Sequence, residues 1–205
     1  MSTSPPPRIG ILGAGAIGSA FAQAVTRAGL PVTIANSRGP ASLAALVRQL
    51  GPTAQAGTRE QAAAADMVLV AIPWSRLPAA LAGLPAWQGR IVIDANNAIE
   101  APDFKAVDLQ GRASSEVVAG WLPGARVVKA FNHLAPPLLA GDPASEGGRR
   151  VLFLSGDDAP ARAEVAALIE RLGFFGIDLG GLAGGGRLAQ FPGGPLPALN
   201  LVRFA

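Results

Sequence analysis

Short apolar runs alternate with amphipathic stretches along most of the chain. The apolar runs predict strands at residues 8–12, 31–35, 53–57, 67–72, 91–93, 126–130, 151–154 and 174–178. The amphipathic stretches predict helices at residues 16–28, 41–50, 59–65, 74–84, 114–122 and 159–172. A break is expected near Pro78, and Ser114 or Ser115 is expected to cap its helix. Because strands and helices alternate, we predict an α/β fold with a doubly wound, mostly parallel sheet.

Composition narrows the possible functions. Hydrophobic residues make up 50% of the chain and charged residues 15%, which is typical of a well-buried globular protein. The net charge is +3 and no basic stripe is present, so we expect no nucleic-acid partner. The absence of cysteine excludes disulfides, thiolate metal sites and cysteine nucleophiles, and with a single histidine we predict no bound metal.

An uncharged stretch of 18 residues, 9–26, has the length of a short membrane span. It contains four glycines and follows the pattern of a strand, a turn and a helix, so we predict that it does not cross a membrane. Residues 1–7 carry no basic side chain, which argues against a signal peptide. We therefore expect a cytoplasmic protein without a membrane partner.

The most informative motif lies where the first predicted strand meets the first predicted helix. Gly13, Gly15 and Gly18 form a Gly-x-Gly-x-x-Gly sequence there. Gly13 permits a tight turn, Gly15 lets a pyrophosphate approach the backbone, and Gly18 lets the helix pack against the strand. The N–H groups at the helix start attract phosphate. The alternative is a glycine-rich turn with a structural role only. The motif predicts a Rossmann-type dinucleotide site formed by Gly13, Ala14, Gly15, Ala16, Ile17 and Gly18.

With the dinucleotide site placed near the N-terminus, the chain divides into three predicted regions. Residues 8–125 form the predicted dinucleotide-binding domain, and residues 126–205 add strands and a helix that complete the sheet. Residues 1–7 are polar and proline-rich, which predicts a disordered tail.

The end of the second predicted strand indicates which dinucleotide binds. NAD sites usually carry an acidic residue at this position, where it binds the ribose 2′-hydroxyl. This chain has Asn36, Ser37 and Arg38 instead. A guanidinium forms charge-assisted hydrogen bonds with a 2′-phosphate, and the two polar neighbours can add more. We therefore predict NADP(H), the alternative being that Arg38 is a solvated residue before a helix.

Ligands of open α/β sheets bind at the carboxyl edge of the strands. Seven residues end or follow predicted strands at that edge and are predicted to contact the cofactor: Ile72, Pro73, Asn96, Asn97, Ala130, Phe131 and Asn132. For the first two asparagines, two roles remain open, hydrogen bonding to the nicotinamide half or shaping a turn. For the phenylalanine, the alternatives are an apolar wall beside the carboxamide ring and ordinary core packing.

Several segments together resemble one protein family. The chain is similar to the NADP oxidoreductases that depend on coenzyme F420, and to the related reductase domain of the STEAP metalloreductases, in residues 34–40, 72–74, 127–132, 156–158, 177–180 and 199–204. This resemblance implies hydride transfer between NADP(H) and a flat redox ring. The ring is the deazaflavin F420 in the first group and a flavin, FMN or FAD, in the second.

The resemblance also implies the place of this small-molecule acceptor. His133 follows the strand at residues 126–130 and would face the second ring, and Pro195 and Leu196 would form the opposite wall. A homodimer with the apolar C-terminal segment as a contact is a further implication. Because the redox chemistry would lie in the cofactors, no side chain is predicted to be catalytic. Lys129, inside a strand, is predicted to have a structural or pairing role.

Two other functions remain open. Imine reductases and 3-hydroxyacid reductases share the first half of the pattern, but they usually append a long helical domain that residues after 100 do not predict. A non-catalytic sensor that binds NADPH and reports redox state to a partner is also compatible with the sequence.

Overall fold

The computed structural model describes residues 6–100 and 103–204 and is built on one large sheet. Of the tail predicted at residues 1–7, residues 1–5 lie outside the described residues. The strands, in chain order, are β1 Ile9–Leu12, β2 Val32–Ala35, β3 Ala54–Ala56, β4 Met67–Val70, β5 Ile91–Asp94, β6 Ile99–Glu100, β7 Lys105–Ala106, β8 Arg126–Ala130, β9 Ala144–Ser145, β10 Gly148–Gly156, β11 Phe175–Asp178 and β12 Val202–Arg203.

Seven α-helices are present among the described residues. They are α1 Ala16–Arg27, α2 Ala44–Leu50, α3 Arg59–Ala63, α4 Leu77–Leu81, α5 Ser114–Gly120, α6 Pro136–Ala140 and α7 Ala159–Arg171. Two 3₁₀ turns, Pro40–Leu43 and Trp74–Arg76, precede α2 and α4, and a π-helical turn spans Leu182–Gly186. The longest helix has 13 residues, and in the part of the chain described here no helix has the length and apolar character needed to cross a membrane.

The strand order confirms the predicted fold class. Along the main sheet the order is β11-β10-β8-β5-β4-β1-β2-β3, and every pair from β3 to β8 is parallel. Strand order reverses on either side of β1, which is the topological switch point of a Rossmann-type sheet. β10 then runs antiparallel to β8, with Leu154 opposite Ala130, and β11 is parallel to β10. The sheet is therefore mostly parallel, and the C-terminal strands extend it.

Helices cover both faces of this sheet, and the strands are buried on both. In β1, Ile9 and Ile11 pack towards the core on the α1 side, while Leu12 belongs to the core of the opposite face. Successive side chains of a strand point to opposite faces, so a parallel strand covered on both sides needs apolar residues at consecutive positions. This requirement explains the continuous apolar runs from which the strands were predicted.

Several element boundaries differ from the predictions. β4 ends at Val70, which leaves Ile72 in a loop, and the helix predicted at 74–84 divides into a 3₁₀ turn and α4. Neither Ser114 nor Ser115 caps α5. Ala113 is the N-cap, and its N–H donates to the carboxylate of Glu116 at 2.6 Å. Both serines lie inside the helix and are fully buried, which the sequence pattern did not indicate.

Candidate functional site

The glycine turn between β1 and α1 has the geometry that each glycine was predicted to provide. Gly13 adopts a φ of +108°, and a Cβ there would lie 2.1 Å from the carbonyl oxygen of Ala71. A Cβ on Gly18 would lie 1.9 Å from the carbonyl oxygen of Gly13. At Gly15, by contrast, a Cβ would have no neighbour within 4 Å, so the backbone there faces open space. Two glycines are thus needed for packing, and the third leaves room for a ligand.

The N-terminus of α1 opens beside this turn. Gly15 is the N-cap of the 12-residue helix, no side chain caps it, and its first turn contains no acidic residue. The N–H groups of Ala16, Ile17 and Gly18 precede the first intrahelical donors and have no helical acceptor. With the positive end of the helix dipole, they form a site suited to a phosphate.

A cleft of about 990 Å³ runs from this turn along the carboxyl edge of the sheet. Among the predicted site residues, the cleft is lined by Gly13, Ala14, Gly15, Asn36, Ser37, Arg38, Ile72 and Pro73. The turn, the end of β2 and the loop after β4 therefore meet at one place. The other predicted residues do not line this cleft, namely Ala16, Ile17 and Gly18 in α1 and those from Asn96 to Leu196.

The loop after β2 presents a free cation to the cleft. The Asn36 Oδ1 atom accepts a hydrogen bond from the Arg38 N–H at 2.9 Å, and the Asn36 amide donates to Ser42 Oγ at 2.9 Å. These bonds fold the loop as a turn and position Arg38 and Ser37. Within the described residues, the exposed guanidinium of Arg38 makes no hydrogen bond or ion pair. One N–H of the Asn36 amide is engaged by Ser42, so the donors available at this end are its second N–H and those of Ser37 and Arg38.

The sequence prediction missed the wall formed by the residues after β3 and β4. Thr58, Arg59, Glu60, Ser75 and Arg76 all line the cleft. Arg59 is anchored to Glu60 at 3.0 Å and to two backbone carbonyls, whereas Arg76 is exposed. Glu60 is the only carboxylate among the lining residues, and it is paired with Arg59, so the cleft favours an anion. The Thr58-x-x-Gln capping box just after a predicted strand was the signal that could have located this wall.

The wall at Ile72 is held from the neighbouring strand. The Ile72 N–H donates to Asn96 Oδ1 at 2.8 Å, and the Asn96 amide donates to Asp94 Oδ1 at 2.7 Å. Asn96 is 4% exposed, and both polar groups of its side chain are paired within the protein. Of the two roles left open for Asn96, this arrangement supports the shaping of a turn.

Asn97 and Asn132 form a reciprocal pair that holds the C-terminal segment. The Asn97 amide donates to the Asn132 carbonyl, and the Asn132 amide donates to Asn97 Oδ1, both at 2.9 Å. The Asn132 amide also donates to the carbonyl of Ala189 at 2.7 Å, and the Phe191 N–H donates to Asn97 Oδ1 at 3.2 Å. Residues 189–191 therefore lie over the ends of β5 and β8.

The side chain of Phe131 belongs to the core. It is fully buried, and its ring lies edge-on to Phe21 with centroids 4.8 Å apart. Ala130 is also fully buried. Of the two roles left open for the Phe131 ring, this arrangement supports core packing. The backbone of Phe131 has a φ of +64°, which turns the chain sharply at the end of β8.

His133 and Leu196 both lie beside the apolar cluster that includes Phe153. The His133 ring lies 5.0 Å from that of Phe153, and Leu196 packs against the same apolar cluster, which includes Phe153. Burial lowers the pKa of His133 to about 4, so the imidazole is neutral at pH 7. Pro195 is exposed beside Leu196. Within the described residues, His133 Nδ1 and Asn132 Oδ1 are buried atoms without a hydrogen-bond partner.

Lys129 has the pairing role that was predicted for it. Its ammonium lies 3.7 Å from Asp94 Oδ2, and both side chains are fully buried. Burial lowers the pKa of Lys129, and the carboxylate of Asp94 opposes this effect. Among the residues described, no three histidine, cysteine or acidic side chains are grouped closely enough to hold a metal ion.

Known proteins share both the nucleotide-binding half and the overall fold. Residues 8–98 match the family described as NADP oxidoreductase, coenzyme F420-dependent. The chain is 30% identical to the metalloreductase STEAP3 of Rattus norvegicus over 193 residues, which are 94% of this chain and 38% of that protein. It thus spans well under half of this relative's length.

Solved structures extend the similarity to the C-terminal strands. A hypothetical protein from Sinorhizobium meliloti is 48% identical with a TM-score of 0.91, covering 97% of this chain and 96% of that one. A protein from Arthrobacter sp. FB24, described as a candidate F420-dependent NADP reductase, is 29% identical with a TM-score of 0.75, covering 86% of each chain.

An imine reductase from Aspergillus terreus shares the fold alone. It is 22% identical with a TM-score of 0.62, and the match covers 88% of this chain but 57% of that one. The glycine turn and the cation at the end of β2 both lie within residues 8–98, and in this nucleotide-binding half the chain is similar to the NADP oxidoreductases named for their dependence on coenzyme F420.

Proposed function

We propose that this protein transfers a hydride between NADP(H) and a planar redox cofactor, either the deazaflavin F420 or a flavin. The observation that carries the proposal is one cleft that joins the open turn at Gly15 to the free guanidinium of Arg38. Such a cleft offers a phosphate-binding helix N-terminus at one point and a partner for a 2′-phosphate at another.

The residues present fit NADP(H). The missing Cβ at Gly15 leaves space next to the N–H groups of α1, where a pyrophosphate would be held. Ser37 and Arg38 would hold the 2′-phosphate, and no carboxylate stands at the end of β2 to repel it. Ile72 and Pro73 would contact the ribose as an apolar wall. When bound, the cofactor supplies a hydride at C4 of its nicotinamide ring.

The acceptor would lie beyond the carboxyl end of β8, beside Phe153 in β10. Asn132 Oδ1 and His133 Nδ1 are buried there without partners among the described residues, and an unpaired buried polar atom is costly unless a ligand or water completes it. Phe153 and Leu196 supply apolar surface beside them. Because the imidazole of His133 is neutral, it would contribute hydrogen bonding rather than charge. The protein would orient two rings and exclude water.

The same proposal includes a cytoplasmic homodimer. Large apolar side chains of the C-terminal segment are between 40% and 57% exposed, namely Leu188, Phe191, Leu199, Leu201 and Phe204. Clustered exposed apolar residues are typical of a protein interface. The uncharged stretch at residues 9–26 forms β1, the turn and most of α1, which supports the expectation that it does not cross a membrane. Sedimentation velocity of the wild type and of Phe204→Ser would test the dimer.

One anaerobic assay tests the activity. Oxidation of NADPH is followed with each of three acceptors: the deazaflavin, free flavin, and flavin plus a ferric chelate. The matched control repeats each measurement with NADH in place of NADPH. We expect turnover with at least one ring acceptor and a preference for NADPH. Turnover with the chelate only when flavin is present would assign the second step to iron. Tight NADPH binding without turnover of any ring acceptor would instead identify a non-catalytic NADPH-binding protein.

A further inference from the structure

Lys129 is the most deeply buried cation among the described residues. It lies in the central part of the sheet on β8 and is 1% exposed. Its ammonium donates to the carbonyl oxygen of Asn96 at 3.0 Å and to Ser114 Oγ at 3.1 Å, with Asp94 as its counter-ion. Burying a charge is costly, and a hydrophobic residue at this position would fill the same space, so stability alone does not account for a lysine here.

Asp94 completes a polar network in which each charged atom is paired. It is fully buried at the end of β5, and its Oδ2 accepts a hydrogen bond from Ser115 Oγ. Its Oδ1 accepts from the N–H of Asn96 at 3.0 Å and from the Asn96 amide at 2.7 Å. Fully satisfied buried networks hold their members in one arrangement, because any departure leaves an unpaired polar group.

One branch of this network reaches the nucleotide cleft. Asn96 is fixed by Lys129 at its carbonyl and by Asp94 at its amide, and its Oδ1 then accepts from the Ile72 N–H at 2.8 Å. Ile72 lines the cleft. The position of the cleft wall is therefore set from beneath by the buried ion pair.

The other branch reaches the C-terminal segment. Ser114 accepts from Lys129 through its hydroxyl, and its N–H donates to Gln190 Oε1 at 2.7 Å. Gln190 lies between Ala189 and Phe191, the two residues held by Asn132 and Asn97. The Lys129 ammonium is thus connected through Ser114 to Gln190, in the segment at residues 189–191 that covers the ends of β5 and β8.

We propose that Lys129 is a positioning residue that fixes the cleft wall at Ile72 relative to the C-terminal segment at Gln190. This inference rests on the proposed function, in which the two branches hold the NADP(H) half and the acceptor half of the site. Lys129 touches neither substrate. It sets the distance between their binding surfaces, and a displacement of about 1 Å between reacting rings can lower a transfer rate by about 100-fold.

Amide exchange and kinetics together test this role. The variants are Lys129→Met, the double variant Lys129→Met with Asp94→Asn, and the control Ser155→Ala. Ser155 lies opposite Lys129 on β10, is 1% exposed, and its hydroxyl has no partner among the described residues. Hydrogen exchange of the Ile72 and Ser114 amides is read by NMR, and kcat and KM are measured with NADPH and with NADPH deuterated at C4.

We expect both lysine variants to exchange about tenfold faster at Ile72 and Ser114, while β1 amides are unchanged and Ser155→Ala resembles the wild type. We also expect kcat to fall with a larger deuterium isotope effect, and KM for NADPH to change little. The double variant leaves no unpaired buried charge, so it stays informative where Lys129→Met alone does not fold. Unchanged exchange at both amides in the folded double variant overturns the inference. Because exchange needs no acceptor, a wild type without turnover would contradict the proposed function and leave this test standing.

Discussion

The N-terminal turn of α1 packs directly on the turn that precedes it, since a Cβ on Gly18 would lie 1.9 Å from the carbonyl oxygen of Gly13. At this distance the helix can approach the strand only if position 18 has no side chain. The approach directs the N-terminus of α1 towards the cleft, where Gly15 leaves its backbone uncovered. Packing and binding are thus assigned to different glycines of one motif.

We predict that Gly18→Ala lowers the free energy of unfolding by about 1–3 kcal/mol, because the added methyl group would overlap backbone atoms that have no room to move. Urea unfolding followed by circular dichroism measures this loss. A variant with wild-type stability would show that the helix can shift away from the turn at little cost.

We predict that Gly15→Val abolishes binding of both NADPH and NADH while leaving the unfolding midpoint close to that of the wild type. A Cβ at this position meets no protein atom within 4 Å, so the new side chain fills ligand space rather than the core. Fluorescence titration with each nucleotide checks this result. Undiminished affinity would mean that the turn has a structural role only.

Arg38→Ala should weaken NADPH binding by about 1–3 kcal/mol, the cost of losing a charge-assisted hydrogen bond, and should leave NADH binding nearly unchanged. The matched control is Arg48→Ala, which removes an exposed arginine from α2 that does not line the cleft. Calorimetric titration of both nucleotides measures the difference. Equal losses for NADPH and NADH would contradict the assignment of Arg38 to the 2′-phosphate.

The stability of the protein should fall as the pH is lowered from about 6.5 to about 4. Burial lowers the pKa of His133 to about 4 in the folded state, whereas an unfolded histidine has a pKa near 6.5. Between these values the unfolded state binds a proton that the folded state does not. Stability is therefore fully present above about pH 6.5 and decreases by up to about 3 kcal/mol on acidification.

Urea unfolding across this pH range, for the wild type and for His133→Gln, checks the histidine contribution. In His133→Gln, the free energy of unfolding should depend less steeply on pH between about 4 and about 6.5. The reason is that glutamine cannot take up the proton that an unfolded histidine binds in this range. If both proteins show the same slope, the acid sensitivity belongs to other groups.

Phe131→Ala should lower the free energy of unfolding by about 3–5 kcal/mol, because it opens a cavity against Phe21 in a fully buried part of the core. The affinity for NADPH, measured at a temperature where the variant is folded, should stay close to the wild-type value. If the variant lost affinity for NADPH without losing stability, the Phe131 ring would instead be assigned to the cofactor site.

Much of the fold could be predicted because its strands are buried on both faces. That burial produces the continuous apolar runs at β1, β4 and β5, which no exposed element would show. The short elements after residue 94, such as the paired strands β6 and β7 and the five-residue helix α6, contain too few residues to show a comparable pattern. Their positions depend on contacts with distant parts of the chain.

The sequence by itself determined the glycine turn, the cation that follows β2 and the alternation of strands and helices that predicts a mostly parallel sheet, because these features depend on local backbone geometry and on the spacing of apolar residues. Only the tertiary structure decided that Phe131 faces the core and that Asn96 and Lys129 join a buried network. A side chain at the end of a strand can point towards ligand, core or neighbouring loop, and which it meets depends on the packing of segments far apart in the chain.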